Sequence, residues 1–287
     1  MKPQNLKTKL FADTGDPGET RQLLQAMGFL DGQTTNPSLI AKHPDVVAKK
    51  ALGESFTSDE IYKFYREVVT ELSKLMPQGS ISIEVYADSN TTADAMFVQG
   101  KEMFSWIPNA HIKYPTTTAG LEAAERSVKE GMRVNLTLCF SQEQATAVYA
   151  ATRGAKKGQV FVSPFVGRLD DIGENGMDLI VNTIKMYAAG DGHVEVLTAS
   201  VRSMAHFEYA LALGSDIITA PTKIYKEWAA AGMPIPGANY KYDAGALKAI
   251  PYAALDLNKD WREFNIRHDL TDKGIEKFAQ DWNALIR

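Results

Sequence analysis

Ala110-His111-Ile112-Lys113-Tyr114-Pro115 is an apolar run with a lysine inside it. Side chains alternate along a strand, so Ile112 faces one side while His111 and Lys113 face the other. Lysine is seldom buried without a partner or a use. Two nearby stretches repeat the pattern. In Ser80-Ile81-Ser82-Ile83-Glu84-Val85-Tyr86-Ala87-Asp88 one face carries Ile81, Ile83, Val85 and Ala87, and the other Ser80, Ser82, Glu84, Tyr86 and Asp88. In Val134-Asn135-Leu136-Thr137-Leu138-Cys139 the faces are Val134, Leu136 and Leu138 against Asn135, Thr137 and Cys139. Faces this polar meet either solvent or an enclosed polar site. We read them as lining one barrel, with Lys113 at its centre as a nucleophile able to form a Schiff base.

Working outward, β-rich runs alternate with helical stretches. Further strands are expected at Lys9–Thr14, within Gly28–Thr35, around Val160–Ser163, at Val194–Ser200 and at Asp216–Pro221. Helices are expected at Glu19–Met27, Ser58–Leu75 (with Ser58 as cap), Thr92–Trp106, Gly120–Lys129 (capped by Thr118 or a neighbour), from Ser141 to Thr152, and at Met177–Ala188, Met204–Leu213 and Ile224–Ala231. Strict βα alternation predicts a parallel sheet. Eight such pairs in one medium-sized chain predict a closed (β/α)8 TIM-type barrel over an open doubly wound sheet. The open sheet would want a dinucleotide fingerprint, and the sequence has no GxGxxG, Walker A loop or zinc-ligand spacing. The stretch from Gly232 to about Leu270, rich in Pro, Gly, Tyr and Asn, reads as an extended tail of the barrel with short helices, not a second domain. Thr271 or Asp272 is expected to cap a closing C-terminal helix reaching Leu285. The organisation is thus one barrel over 1–287, with 232–287 as extension and helix.

The 287 residues are 45% hydrophobic and 23% charged, which suits a soluble globular chain. A net charge of −4 argues against a general nucleic-acid or anionic-membrane surface, and leaves room for a local phosphate pocket. No apolar run approaches a membrane span, and the first residues lead into no signal-peptide core. Cys139 is the only cysteine, which fits a reducing, cytoplasmic setting. A homo-oligomer is compatible with the sequence.

In a parallel barrel the side chains at the carboxyl ends of the strands meet in one pocket. There the sequence offers Asp13, Asn36, Glu84, Lys113, Asn135, Thr137, Ser163, Arg168, Ser200 and Arg202. A neutral lysine amine can attack a ketone and form an iminium, an electron sink for breaking an adjacent carbon–carbon bond, and desolvation favours the neutral form. Asp13 and Glu84 supply two carboxyls for the proton transfers, and Thr137 could orient a water between them. The competing reading is Lys113 ion-paired with Glu84 or Asp13 in a filled barrel. Arg168 and Arg202, each after a strand that also offers a serine, would make a phosphate clamp. The alternatives are a local ion pair of Arg168 with Asp170 or Asp171 and a solvated first-turn Arg202. Cys139, on the face of Thr137, reads as a buried packing residue, and His111 as a satisfied barrel histidine. His43, His193, His206 and His268 show no metal spacing.

At these residues the chain resembles the transaldolase family, class I aldolases built on a permuted (β/α)8 barrel. Ala12-Asp13-Thr14-Gly15-Asp16 is similar to the family's first-strand motif, Thr34-Thr35-Asn36-Pro37-Ser38 to its TTNPS signature, and Asn135-Leu136-Thr137-Leu138 to its NLTL. Ser163-Pro164-Phe165-Val166-Gly167-Arg168 resembles SPFVGR, and Ala199-Ser200-Val201-Arg202 resembles ASxR. The resemblance implies Lys113 as Schiff-base lysine, Asp13, Glu84 and Thr137 as its acid/base and water-holding partners, and Asn36, Asn135, Ser163, Phe165, Arg168, Ser200 and Arg202 as substrate contacts. It implies transfer of a dihydroxyacetone unit from a ketose phosphate (sedoheptulose 7-phosphate or fructose 6-phosphate) to an aldose phosphate (glyceraldehyde 3-phosphate or erythrose 4-phosphate), in the pentose phosphate pathway, with no metal or organic cofactor. Tyr114–Leu121 is more similar to the small fructose 6-phosphate aldolases, whereas Glu84 and Phe165 stand where those resemble glutamine and tyrosine. Two alternatives follow: an aldolase releasing free dihydroxyacetone, and a sugar-phosphate-binding barrel without turnover.

Overall fold

The computed structural model describes residues 2–237 and 239–287. The strands β1 (Lys9–Asp13), β2 (Gly32–Thr34), β3 (Ser80–Glu84), β4 (Ala110–Pro115), β5 (Val134–Cys139), β6 (Val160–Pro164), β7 (Val194–Thr198) and β8 (Ile217–Ala220) close into a barrel in chain order. Every pairing is parallel, and β8 returns to β1 through Lys9↔Ile217 to Ala12↔Ala220. The expected TIM-type barrel is therefore the fold, and the open sheet is excluded. Outward-facing Ile81, Ile83, Ile112, Val134, Leu136, Val160, Val162 and Val196 pack against the helices in one large core. Each such side chain contributes roughly 1.5–3 kcal/mol by leaving water. Inside the barrel, toward the strands' amino ends, Phe11, Phe161, Leu197 and Ile217 form a second cluster.

The helices are α1 (Pro17–Met27), α2 (Pro37–Ile40), α3 (Pro44–Ala51), α4 (Ser58–Leu75), α5 (Ala93–Phe104), α6 (Thr118–Lys129), α7 (Gln142–Ala151), α8 (Val166–Asp170), α9 (Gly176–Tyr187), α10 (Met204–Leu213), α11 (Thr222–Ala230) and α12 (Asp269–Asn283). Several starts differ from expectation by one cap. Thr57, not Ser58, caps α4 in a reciprocal capping box with Glu60. His268, not Thr271 or Asp272, caps α12, whereas Thr117, the neighbour of Thr118, caps α6 as expected. Ser141 caps α7 as expected. The second strand begins only at Gly32, because Gly28 ends α1 at φ 80°, a left-handed C-cap.

β5 does not keep its alternation. Its register shifts between Leu136 and Cys139, where Leu138 sits at φ 57°. A bulge adds a residue and turns the following side chains over. Leu138 consequently joins the inner cluster and Cys139 joins the outer core. Cys139 thus lies away from Thr137, contrary to expectation, and burial pushes its thiol up to about 12.

After α11 the chain runs back around the barrel against its own order. Trp228 of α11 donates to Pro234 O (2.7 Å), and Tyr240 donates to Glu208 of α10 (3.0 Å). Asn182 of α9 donates to Ile250 O (2.8 Å), Gln142 of α7 donates to Pro251 O (2.9 Å), and Trp261 donates to Glu125 of α6 (3.1 Å). A single 3-10 turn, Trp261–Glu263, is the regular element among the described residues of this belt. The chain then crosses the open end of the barrel as α12. Thr271 donates to Leu138 O (2.9 Å), Ser38 bonds Asp281, and Phe56 N donates to Leu285 O (2.8 Å).

Candidate active site

The register builds the site. Glu84 lies opposite Lys113, Lys113 opposite Asn135, and Asp13 opposite Thr34. Partners in a parallel pair share a face, so these groups all point into the barrel. Lys113 Nζ lies 2.8 Å from Glu84 Oε2, and each side chain is 4% exposed. Lys113 also donates to Thr35 O at 3.0 Å. Thr35 is fixed in turn: its hydroxyl donates to Ser82 O (2.8 Å) and accepts from Tyr65, which itself accepts from Glu84 N (3.0 Å). Tyr65 therefore sets both the carboxylate-bearing strand and the carbonyl that receives the lysine.

The ion-pair alternative is thus half right. Lys113 is paired with Glu84, but the barrel is not filled: Lys113 lines a cleft of about 550 Å³ at the carboxyl ends of the strands. Removing two charges from water costs several kcal/mol per ion, and a well-packed apolar pair would often be more stable. A costly pair facing an open cleft points to chemistry.

Burial raises the pKa of Glu84 above its ordinary value, against the opposing pull of Lys113. Asp13 is shifted the same way for the same reason, with Lys113 and the 2.8 Å hydrogen bond from Thr34 opposing. Both carboxyls are consequently better proton acceptors than a solvated carboxylate. Thr34 is held at 2.6 Å by Thr219 of β8, the strand on the other side of β1. Neither threonine was singled out from sequence, although each sits on an inward strand position. Thr137 Oγ1 is buried and has no hydrogen-bond partner among the described residues. An unsatisfied buried hydroxyl costs about 1–3 kcal/mol, and sites that handle water or substrate are where that cost is kept.

Asn36, Ser163, Phe165, Ser200, Arg168 and Arg202 also line the cleft. Asn36 caps α2 by accepting from Leu39 N at 2.9 Å. Asn135 and Glu84 lie beneath the lining, not in it. Asn135 donates to Ser82 (3.1 Å) and accepts from Ser163 (2.6 Å), fixing the Ser163 hydroxyl.

The two arginines differ. Arg202 makes a bidentate pair with Asp171, one arm at 2.6 Å, and is half-exposed. It is an ion-paired residue, not a merely solvated one. Asp170 pairs instead with His206 (2.8 Å) and accepts from Gly176 N (3.0 Å). Both acids adjacent to Arg168 are therefore engaged elsewhere. Arg168 has no ion-pair or hydrogen-bond partner among the described residues and rests against the rings of Phe165 and Phe278, 5.2 and 5.3 Å from their centroids. The two loops are zipped together by Val166 N to Ala199 O (3.0 Å) and Gly167 N to Ser200 O (3.1 Å). A side chain at Gly167 would fall 2.5 Å from Ser200 O and 2.6 Å from Arg202 Nε, so only glycine fits. Ser200 sits at φ 58°, a strained position for a non-glycine residue of the kind that clusters at binding sites.

His111 is a satisfied barrel histidine: Ser80 and Gly158 O bond its two nitrogens, it stacks on Phe161, and burial lowers its pKa to about 3. The wall supplied by α12 (Lys277, Phe278, Asp281), together with Lys42 and Lys50, went unnoticed in the sequence because these residues carry no strand-end signal. Among the described residues no group of three or more His, Cys, Asp or Glu converges as a metal site would, and no helix is long and apolar enough to cross a membrane.

Comparison with known proteins places the chain in a family. A family model described as Transaldolase/Fructose-6-phosphate aldolase matches residues 10–287. The probable transaldolase of Dehalococcoides mccartyi is 32% identical over 277 residues, covering 96% of this chain and 99% of that one. That of Herpetosiphon aurantiacus is 34% identical, covering 96% of each. Among solved structures, 3-hexulose-6-phosphate synthase from Salmonella typhimurium aligns with TM-score 0.48 and 12% identity, over 79% of this chain and 100% of that one. With the match running from the first strand to the last residue, this chain belongs to the transaldolase/fructose-6-phosphate aldolase family.

Proposed function

We propose that the protein is a transaldolase, moving a dihydroxyacetone unit from a ketose phosphate to an aldose phosphate through a Schiff base on Lys113. The observation that carries the reading is the buried Lys113–Glu84 pair at the floor of an open cleft, with an unpaired Arg168 above it. Two of the three ammonium donors face Glu84 and Thr35 O, which leaves one direction for the cleft. Transfer of a proton to Glu84 frees the lone pair. The amine adds to the ketose carbonyl and gives a carbinolamine. Glu84 then returns a proton to the leaving hydroxyl through a water held on the unpartnered Thr137 hydroxyl, and water departs as the iminium forms. Asp13 takes the proton of the hydroxyl carried by the far carbon of the bond to be broken, which becomes the aldehyde carbon of the leaving aldose. That bond's electron pair moves into the iminium, the aldose leaves, and an enamine stays on Lys113. Addition to a second aldose and hydrolysis reverse these steps.

The phosphate is assigned to Arg168, with Arg202, Ser200 and the adjoining loop as its frame. Sedoheptulose 7-phosphate and fructose 6-phosphate are the donors expected of such a site, and a cytoplasmic place in the pentose phosphate pathway follows from them. The tract Tyr114–Leu121 favours one second reading, an aldolase releasing free dihydroxyacetone. Incubation with fructose 6-phosphate, with and without erythrose 4-phosphate, separates the two. The transferase reading expects seven-carbon product only with the acceptor and little free dihydroxyacetone without it. Equal release of dihydroxyacetone in both tubes would favour the aldolase.

A further inference from the structure

The Arg168 guanidinium is partly buried yet makes no salt bridge or hydrogen bond among the described residues. Its position must come from packing. Phe165, from its own loop, covers one side. Phe278, from α12 and 110 residues away in sequence, supplies a second ring. One helical turn earlier, Gly274 lies against the guanidinium: a Cβ there would be 2.7 Å from Arg168 Nη1 and 2.7 Å from Leu138 Cδ2. The glycine is costly in the middle of a helix, by about 1 kcal/mol relative to alanine, and here it leaves the space the arginine occupies. The inner face of α12 is pinned by Thr271 to the carbonyl of Leu138, so the helix cannot slide away from Arg168 without breaking a buried hydrogen bond.

The geometry points to α12 as a wall of the phosphate site, with Phe278 and Gly274 as positioning residues that aim Arg168 at the phosphate. The inference rests on reading Arg168 as the phosphate ligand. A flat ring beside a guanidinium attracts it through the ring's negative face while leaving its in-plane N–H bonds free for a planar or tetrahedral anion. A carboxylate in the same place would bind Arg168 more tightly and compete with substrate. Phe278 thus holds the cation without occupying it.

Phe278→Leu keeps the apolar contact and removes the π face, whereas Phe278→Tyr keeps both. Calorimetric titration with inorganic phosphate, with KM and kcat for fructose 6-phosphate and the melting temperature of each variant, tests the inference. Phe278→Leu is expected to weaken phosphate binding and raise KM about fivefold, with kcat within a factor of about two, and Phe278→Tyr to restore both. Gly274→Ala, which fills the guanidinium's space, is expected to weaken phosphate binding comparably. Unchanged phosphate affinity in Phe278→Leu, or an equal loss in Phe278→Tyr, would overturn the inference. Phosphate titration needs no turnover, so an enzyme inactive on ketoses but sensitive to Phe278→Leu in this titration would contradict the proposed reaction and leave the role of α12 standing.

Discussion

Asp13 carries the clearest residue-scale consequence. Its folded pKa is raised above the ordinary value near 3.8, chiefly by burial. A carboxyl shifted upward binds its proton more tightly in the folded state. It therefore contributes stability below its unfolded pKa and loses that contribution as pH rises through the folded value. In its charged form the desolvated Asp13 is a destabilising group. Asp13→Asn should melt higher than the wild type at pH 7, by about 1 kcal/mol, with the advantage shrinking toward pH 4. Thermal melts across that range check this, and a variant less stable than wild type at pH 7 would sink it. Under the proposed function Asp13→Ala should still form the Schiff base and fail to cleave it, so borohydride would trap intact donor on the protein. Glu84→Gln should slow iminium formation itself. The opposite pattern would mean the two carboxyl roles are reversed.

These two acids and Lys113 were legible in the sequence because strand alternation is local: Ile83-Glu84-Val85 and Ile112-Lys113-Tyr114 state their own faces. Cys139 was not, because the bulge at Leu138 depends on β6 and α12. Nor was the state of Arg168, since the two acids offered as its partners, Asp170 and Asp171, are taken by His206 and Arg202.

At the scale of elements, the short helix α2 does what strand ends alone cannot. α2 begins at Asn36, whose side-chain oxygen caps Leu39 N and whose amide nitrogen is left for the cleft. The two tasks can be separated. Asn36→Asp keeps the cap and exchanges the amide donor for a negative charge, so kcat/KM should fall more than tenfold, or about 1.4 kcal/mol, with little change in melting temperature. Asn36→Ala should lose the cap as well, costing about 1 kcal/mol of stability. Steady-state kinetics beside thermal melts checks both, and equal melting temperatures for the two variants would remove the capping argument. No helix was expected at Pro44–Ala51. That eight-residue helix buries only Val46, so it has almost no apolar stripe to read.

For the whole molecule, the belt from 232 explains a stretch that has no periodicity. It needs none, because apart from the turn Trp261–Glu263 its described residues form neither helix nor strand: they satisfy carbonyls with side chains of the helices they cross, as at Asn182 to Ile250 O and Gln142 to Pro251 O. Such partners are visible only once the barrel has closed. The belt delivers α12 to the mouth of the barrel, and its anchor is Trp261, 4% exposed and bonded to Glu125. Trp261→Ala should cost about 3 kcal/mol, lowering the melting temperature while leaving substrate trapping at Lys113 intact below it. Loss of trapping at temperatures where the variant is folded would show that the belt shapes the site and not merely the fold.

The most direct test of the account is borohydride reduction in the presence of fructose 6-phosphate, followed by peptide mapping. The account predicts one three-carbon adduct per chain, on the peptide containing Lys113, and none on Lys113→Ala. An adduct on Lys42, Lys50 or Lys277, which also line the cleft, or the absence of any adduct from a protein that turns over its substrate, would contradict it.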